Sequence, residues 1–171
     1  MTKFVTFARN FLGVPVLVKF LGVLVILLMS ATAHAGDIKG IPRVVDGDTL
    51  VISKERIRLH GIDSPETRQT CTKDGKVWSC GRDATAALAA RIDGQPVTCK
   101  GDKRDRYKRL IGVCYLEGQD LNAWMVQQGW ALAYRKYSTD YIDDELAARD
   151  NRSGIWQGEF IKPWKWRKRP R

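Results

Sequence analysis

Five side chains in this 171-residue chain have the types and spacing for chemistry on a phosphate ester: Asp48, Arg58, Asp63, Glu66 and Arg109. Asp48 closes the turn signal Asp46-Gly47-Asp48, and Asp63 and Glu66 follow the next strand-like run. If the intervening strands pair as neighbours, Asp48 and Asp63 meet at one end of a sheet. Two hard oxygen ligands suit Ca²⁺ or Mg²⁺, with positions left for water and a phosphate oxygen. A cation held that way polarises a phosphodiester and orients a water, and Glu66, past the Pro65 bend, is placed to act as a general base. Arg58 and Arg109 supply guanidinium forks that bind phosphate oxygens in pairs and stabilise the extra charge of a pentacoordinate transition state. Taken singly, each residue has an ordinary structural explanation: Asp-Gly-Asp is a common turn, Asp-Ser-Pro-Glu a loop or helix cap, and a strand Arg a surface residue. The set of five carries the signal.

The elements that must position them are short. Arg43-Val44-Val45, Thr49 to Ile52 and Ile57 to Ile62 read as strands. Pro65 opens a polar loop that extends to Cys80. Ala84, Ala87, Leu88 and Ile92 have helical spacing, stopped by Asp93-Gly94. Val97 to Lys100 and Leu110 to Leu116 read as two more strands joined by the basic stretch Gly101 to Lys108. A second helix carries Leu121, Trp124, Met125 and Gln128. A third starts near Ser138-Thr139, with Tyr141, Ile142 and Leu146 on one side. This order predicts a β-rich α+β fold, a five-stranded OB-type Greek-key barrel with about three helices.

The chain carries a net charge of +10 and its first acidic residue is Asp37. Lys3, Arg9 and Lys19, then the apolar run Phe20 to Met29, then Ala33-His34-Ala35, follow the layout of a secretory signal peptide over residues 1–35. An uncleaved anchor is the alternative, because Phe11 to Val18 is also mostly apolar. Removing 1–35 takes away those three cations and no acid, which leaves +7 on the mature domain. Such a field attracts polyanions, nucleic acid or anionic membrane. The four cysteines, Cys71, Cys80, Cys99 and Cys114, read as a disulfide framework in an exported chain. Three pairings are open. Cys71–Cys80 around Asp74-Gly75 and Cys99–Cys114 between neighbouring strands are favoured over a zinc site with His60, since no short Cys-x-x-Cys spacing is present.

Val45-Asp46-Gly47-Asp48-Thr49, then Arg58-Leu59-His60-Gly61-Ile62-Asp63-Ser64-Pro65-Glu66, then Asp105-Arg106-Tyr107-Lys108-Arg109, resemble the three motifs of the thermonuclease (staphylococcal nuclease-like) family. The resemblance runs from about Val44 to Trp156. It implies an OB-fold domain over 36–160 and Ca²⁺-dependent hydrolysis of DNA and RNA to 3′-phosphate and 5′-hydroxyl ends. The leader and the cysteines, not the resemblance, make a secreted or periplasmic protein the expectation, with a monomer and no protein partner expected beside it. Carried over by position, Asp48, Asp63 and the Ser64 carbonyl would ligate the metal, Arg58 and Arg109 would grip the scissile phosphate, and Glu66 would be the catalytic carboxylate. Arg106 and Tyr107 would contact a neighbouring phosphate and Tyr134 would stack on a base, a sequence-tolerant contact.

Three positions depart from the family pattern. Lys108 stands where Gly is common, Ser64 where Thr is usual, and a second substrate-site Tyr falls on Lys136, one place before Tyr137. The tail 161–171 mixes Trp and basic residues. It suits nucleic acid, a transient contact with anionic lipid, or simply a packed Trp with a frayed basic end. The competing reading of the whole chain is a non-catalytic OB-type module that binds nucleic acid without cutting it.

Overall fold

The computed structural model describes residues 37–170. The expected leader over 1–35 lies outside them. Eleven short strands and four α-helices are present among the described residues, against the five strands and about three helices expected. The expected strands are all there: β2 (Pro42–Asp46), β3 (Thr49–Ile52), β4 (Glu55–Leu59), β8 (Val97–Arg104) and β9 (Leu110–Leu116). They lie in the order β8-β9-β4-β3-β2, with β1 (Ile38–Gly40) added beside β8 and β10 (Gln119–Asp120) beside β9. The sheet is mixed, because β4 and β9 run parallel while their other neighbours are antiparallel.

Alternation along these strands decides which face is buried. Leu50, Ile52, Ile57, Leu59, Val97, Leu110 and Leu116 turn inward and meet Ala84, Leu88 and Ile92 of helix α1 (Cys80–Ile92). Leu121 and Met125 of α2 (Leu121–Gln127) complete this core. Asp120 caps α2 by accepting hydrogen bonds from the Asn122 and Ala123 amides.

Some expectations needed correction. The polar segment from Pro65 to Cys80 is not all loop: it contains the hairpin β6 (Cys71–Lys73) and β7 (Lys76–Trp78), held by the Cys71–Cys80 disulfide. Strand β8 continues to Arg104 across a register shift between Lys100 and Lys103, so the link to β9 is only the Asp105–Arg109 turn. The third helix, α3 (Ile142–Asp150), begins later than Ser138 and leaves Leu146 46% exposed. Its buried positions are Glu145 and Ala148. Glu145 is recruited inward because it accepts a hydrogen bond from the Ala133 amide and pairs with Arg135.

A second, smaller core lies beside the first. Cys71, Cys80, Leu132 and Ile155 are buried there, with Trp78, Trp130, Trp156, Phe160 and Trp164 packed around them. Thr72 and Glu159 exchange backbone hydrogen bonds of 2.9 and 2.7 Å, which stitches the chain's last segment onto β6. Beyond a 3-10 turn (Gly154–Gln157), the short helix α4 (Pro163–Trp166) ends the fold. Both favoured cysteine pairings are present, Cys71–Cys80 and Cys99–Cys114, so no thiol is left for a zinc site.

Candidate active site

Asp48 sits in the β2–β3 turn and is 3% exposed. Gly47 makes this turn possible by its size. A Cβ there would overlap the Ser64 side chain, so only glycine lets the turn press against the segment after β5 (Ile62–Asp63). The Asp48 carboxylate accepts the Ser64 amide at 2.9 Å and the Thr49 hydroxyl at 3.2 Å. Asp63 is fully buried at the end of β5, which pairs with β11 (Leu132–Ala133) in the register Leu132↔Asp63. The two aspartates converge although β5 lies outside the main sheet, through the Ser64 amide and Arg58.

Arg58 joins them. It lies opposite Thr49 on the neighbouring strand β3. Its Nη1 bonds to Asp48 Oδ1, and its Nη2 donates to Asp63 Oδ1 at 2.6 Å. Burial alone would disfavour the charged guanidinium, yet the charges of Asp48 and Asp63 raise its pKa above the ordinary arginine value. Burial pushes the Asp63 carboxyl upward, as does Asp48, against hydrogen bonds and charges from Arg167 and Arg58 that pull it down. Asp46, at the start of the same turn, is pushed up to about 6 by burial and then by the Asp48 charge.

Arg109 approaches from the other side. The parallel register sets Arg58 beside Ile111, and Arg109 lies two residues earlier on the same face of the sheet, opposite to buried Leu110. The Asp105–Arg109 turn holds it: Asp105 accepts from the Arg109 side chain at 2.8 Å and from the Arg109 and Tyr107 amides at 3.0 and 2.9 Å. Burial is the largest single influence and raises the Asp105 carboxyl, but these hydrogen bonds and the Arg109 charge together outweigh it and hold the group below the ordinary carboxylate range. Lys108 adopts φ +63°, the left-handed conformation that the usual glycine favours, so the turn survives the substitution. Arg106 lies over the Tyr107 ring and donates to its hydroxyl, and Tyr107 is 63% exposed.

These residues line one cleft of about 830 Å³. Asp48, Arg58, Ser64, Glu66, Arg106, Tyr107, Arg109 and Tyr134 all border it; Asp63 lies behind, in contact with Arg58. Lys136 and Tyr137 also reach the rim, and Tyr137 packs edge-on against Tyr134, so the displaced tyrosine stays in the aromatic cluster. Glu66 is carried by a loop against the start of α1. A Cβ on Gly81 would overlap the Glu66 carbonyl, and buried Gln69 bonds to the Glu66 backbone.

Two residues of the site escape reasoning from sequence. Arg167, in the tail, donates to both Asp63 oxygens at 3.1 and 2.8 Å and to Glu66 Oε1 at 2.7 Å. Trp164 stacks on Tyr134, with ring centroids 5.2 Å apart and planes 5° from parallel. The alternation of Trp and basic residues in 164–169 was the only signal available for either.

The donor chemistry fits a hard divalent cation, because two buried aspartates share a charge that only guanidinium groups now balance. Among the described residues no three His, Cys, Asp or Glu side chains converge as a closed metal centre. The arrangement as a whole, cationic forks around buried carboxylates in a basic cleft, is that of a protein which handles phosphate esters.

Comparison with known proteins agrees. Residues 56–158 match the staphylococcal nuclease homologue family, and the chain belongs to it. A micrococcal nuclease of Shigella flexneri is 36% identical over 163 residues, spanning 84% of this chain and 88% of its own. An uncharacterized endonuclease of Escherichia coli O157:H7 is 35% identical over 155 residues, 85% of this chain and 95% of its own. The succinoglycan biosynthesis protein ExoI of Rhizobium meliloti (strain 1021) is 36% identical over 145 residues, 80% of this chain and 74% of its own.

Proposed function

We propose that this chain is an exported, calcium-dependent nuclease that hydrolyses phosphodiester bonds of DNA and RNA without sequence preference. The observation that carries the reading is the position of Arg58, whose guanidinium spans two converging buried carboxylates at the edge of a cleft bordered by Glu66 and Arg109. Asp48, Asp63 and the Ser64 carbonyl would hold the ion, which when bound polarises the phosphodiester and lowers the pKa of a water.

The chain's own groups do the rest. Arg58 and Arg109 bind the scissile phosphate and stabilise the charge that accumulates on its oxygens. Glu66, 40% exposed at its side chain, accepts the proton of the attacking water. Arg106 and Tyr107 hold a neighbouring phosphate, and Tyr134 offers a ring face to a base. Two disulfides and the leader-like segment support export.

The test is incubation of the oxidised full chain with end-labelled single-stranded DNA and RNA in Ca²⁺, in Mg²⁺ and in chelator. Cleavage in Ca²⁺ that stops with chelator and leaves 3′-phosphate ends is the expected result. Tight binding without products under every metal would replace the nuclease by a binding module.

A further inference from the structure

The C-terminal tail reaches the site at two points. Arg167 forms a two-pronged bond to Asp63 and a third bond to Glu66, at 2.7–3.1 Å. Three residues earlier, Trp164 covers one face of Tyr134. The segment is seated rather than loosely attached: buried Pro163 begins α4, Gln69 Nε2 donates to the Ile161 carbonyl at 2.6 Å, and Trp164 joins the second core. Gln69 is itself bonded to the Glu66 backbone, so the loop that carries Glu66 and the tail share one buried amide.

We propose that Arg167 determines the affinity of the site for its divalent cation, by occupying the same carboxylates and leaving when the cation binds. The inference rests on the metal assignment made above. Asp63 is fully buried and Glu66 is not, and their common partner Arg167 has 37% of its side chain in solvent. Such a guanidinium neutralises the cluster while the cation is absent, and it is exposed enough to withdraw. A cation at Asp63 and the Arg167 head compete for the same two oxygens and repel each other, so each weakens the other's hold. Withdrawal of Arg167 also pulls on Trp164, so binding of the ion loosens the indole from the ring face of Tyr134 on which a base would stack. Once released, Arg167 remains at the cleft rim, where its charge faces the incoming polyanion.

The experiment is calorimetric titration of the full oxidised chain with CaCl₂, for the parent, Arg167→Gln and Trp164→Ala, with no nucleic acid present. The parent should bind Ca²⁺ on the order of tenfold or more weakly than Arg167→Gln, the scale of one close charge pair lost. Trp164→Ala leaves every charge in place and should tighten binding by a smaller factor, which guards against misfolding of the arginine variant. Tryptophan fluorescence of the parent should change with the same midpoint as the heat, and that change should vanish in Trp164→Ala. Equal affinities in all three proteins would overturn the proposal while leaving the nuclease reading intact. Absence of Ca²⁺ binding in all three would overturn both.

Discussion

Arg58 Nη2 lies 2.6 Å from Asp63 Oδ1, and this carboxylate has no exposed surface. The same guanidinium bonds Asp48, so one side chain bridges two buried acids. Removing it leaves two carboxylates with fewer partners, which typically costs about 3–5 kcal/mol for a broken buried pair. Arg58→Ala is therefore expected to lower stability as well as abolish turnover. Calcium should restore part of the lost melting temperature, since a cation substitutes for the missing charge. Thermal unfolding with and without CaCl₂ checks this; a melting temperature equal to the parent's would contradict the bridge.

Arg109 is a different case, because its partner Asp105 lies in the β8–β9 turn rather than in the core. Arg109→Ala should reduce the cleavage rate by about 10²–10³-fold, the usual loss for one donor to developing charge. The melting temperature should move little. Asp105→Asn should place Arg109 less well and cost about 1.5–3 kcal/mol at neutral pH, the range for hydrogen bonds to a charged group. The folded Asp105 carboxyl titrates below its unfolded value near 4, so its contribution is complete above that pH and is lost as pH falls through the folded value. Urea unfolding of parent and variant should thus differ at about pH 6 and converge as the pH falls below the ordinary carboxylate range. A difference that persists in acid would show that the carboxylate charge is not what holds the turn.

Lys108 holds φ +63° with its carbonyl accepting from Arg104 at 2.9 Å. A left-handed non-glycine residue costs roughly 1–2 kcal/mol, partly offset by the extra chain entropy glycine loses on folding. Lys108→Gly is accordingly expected to raise stability by about 0.5–1 kcal/mol and keep activity. Loss of activity on that change would mean the lysine charge itself serves the substrate.

Legibility from sequence followed the range of the interactions. Asp48, Arg58 and Asp63 lie within sixteen residues, in the β2–β3 turn and on β4 and β5, so alternation and turn signals were enough to bring them together. The arrival of Arg109 needed only one further strand pairing. Arg167 is 104 positions from Asp63, on a segment with neither a period nor a cap to mark its direction, and its docking depends on the second core. That core was hidden too, because the three-residue strands of the Cys71–Trp78 hairpin are too short and polar to show alternation. Leu146 misled for the opposite reason: helical spacing named a face, but buried Glu145, bonded to the Ala133 amide and to half-exposed Arg135, selected another.

The central claim is that Glu66 and the converging aspartates and arginines cleave phosphodiesters rather than merely bind them. The most direct measurement is the single-turnover cleavage rate of a single-stranded oligonucleotide in CaCl₂ by the parent and by Glu66→Gln, beside the affinity of each for the oligonucleotide. A rate reduced by about 10²-fold or more with affinity unchanged is the predicted result. An unchanged rate in Glu66→Gln, or no cleavage by the parent, would contradict it.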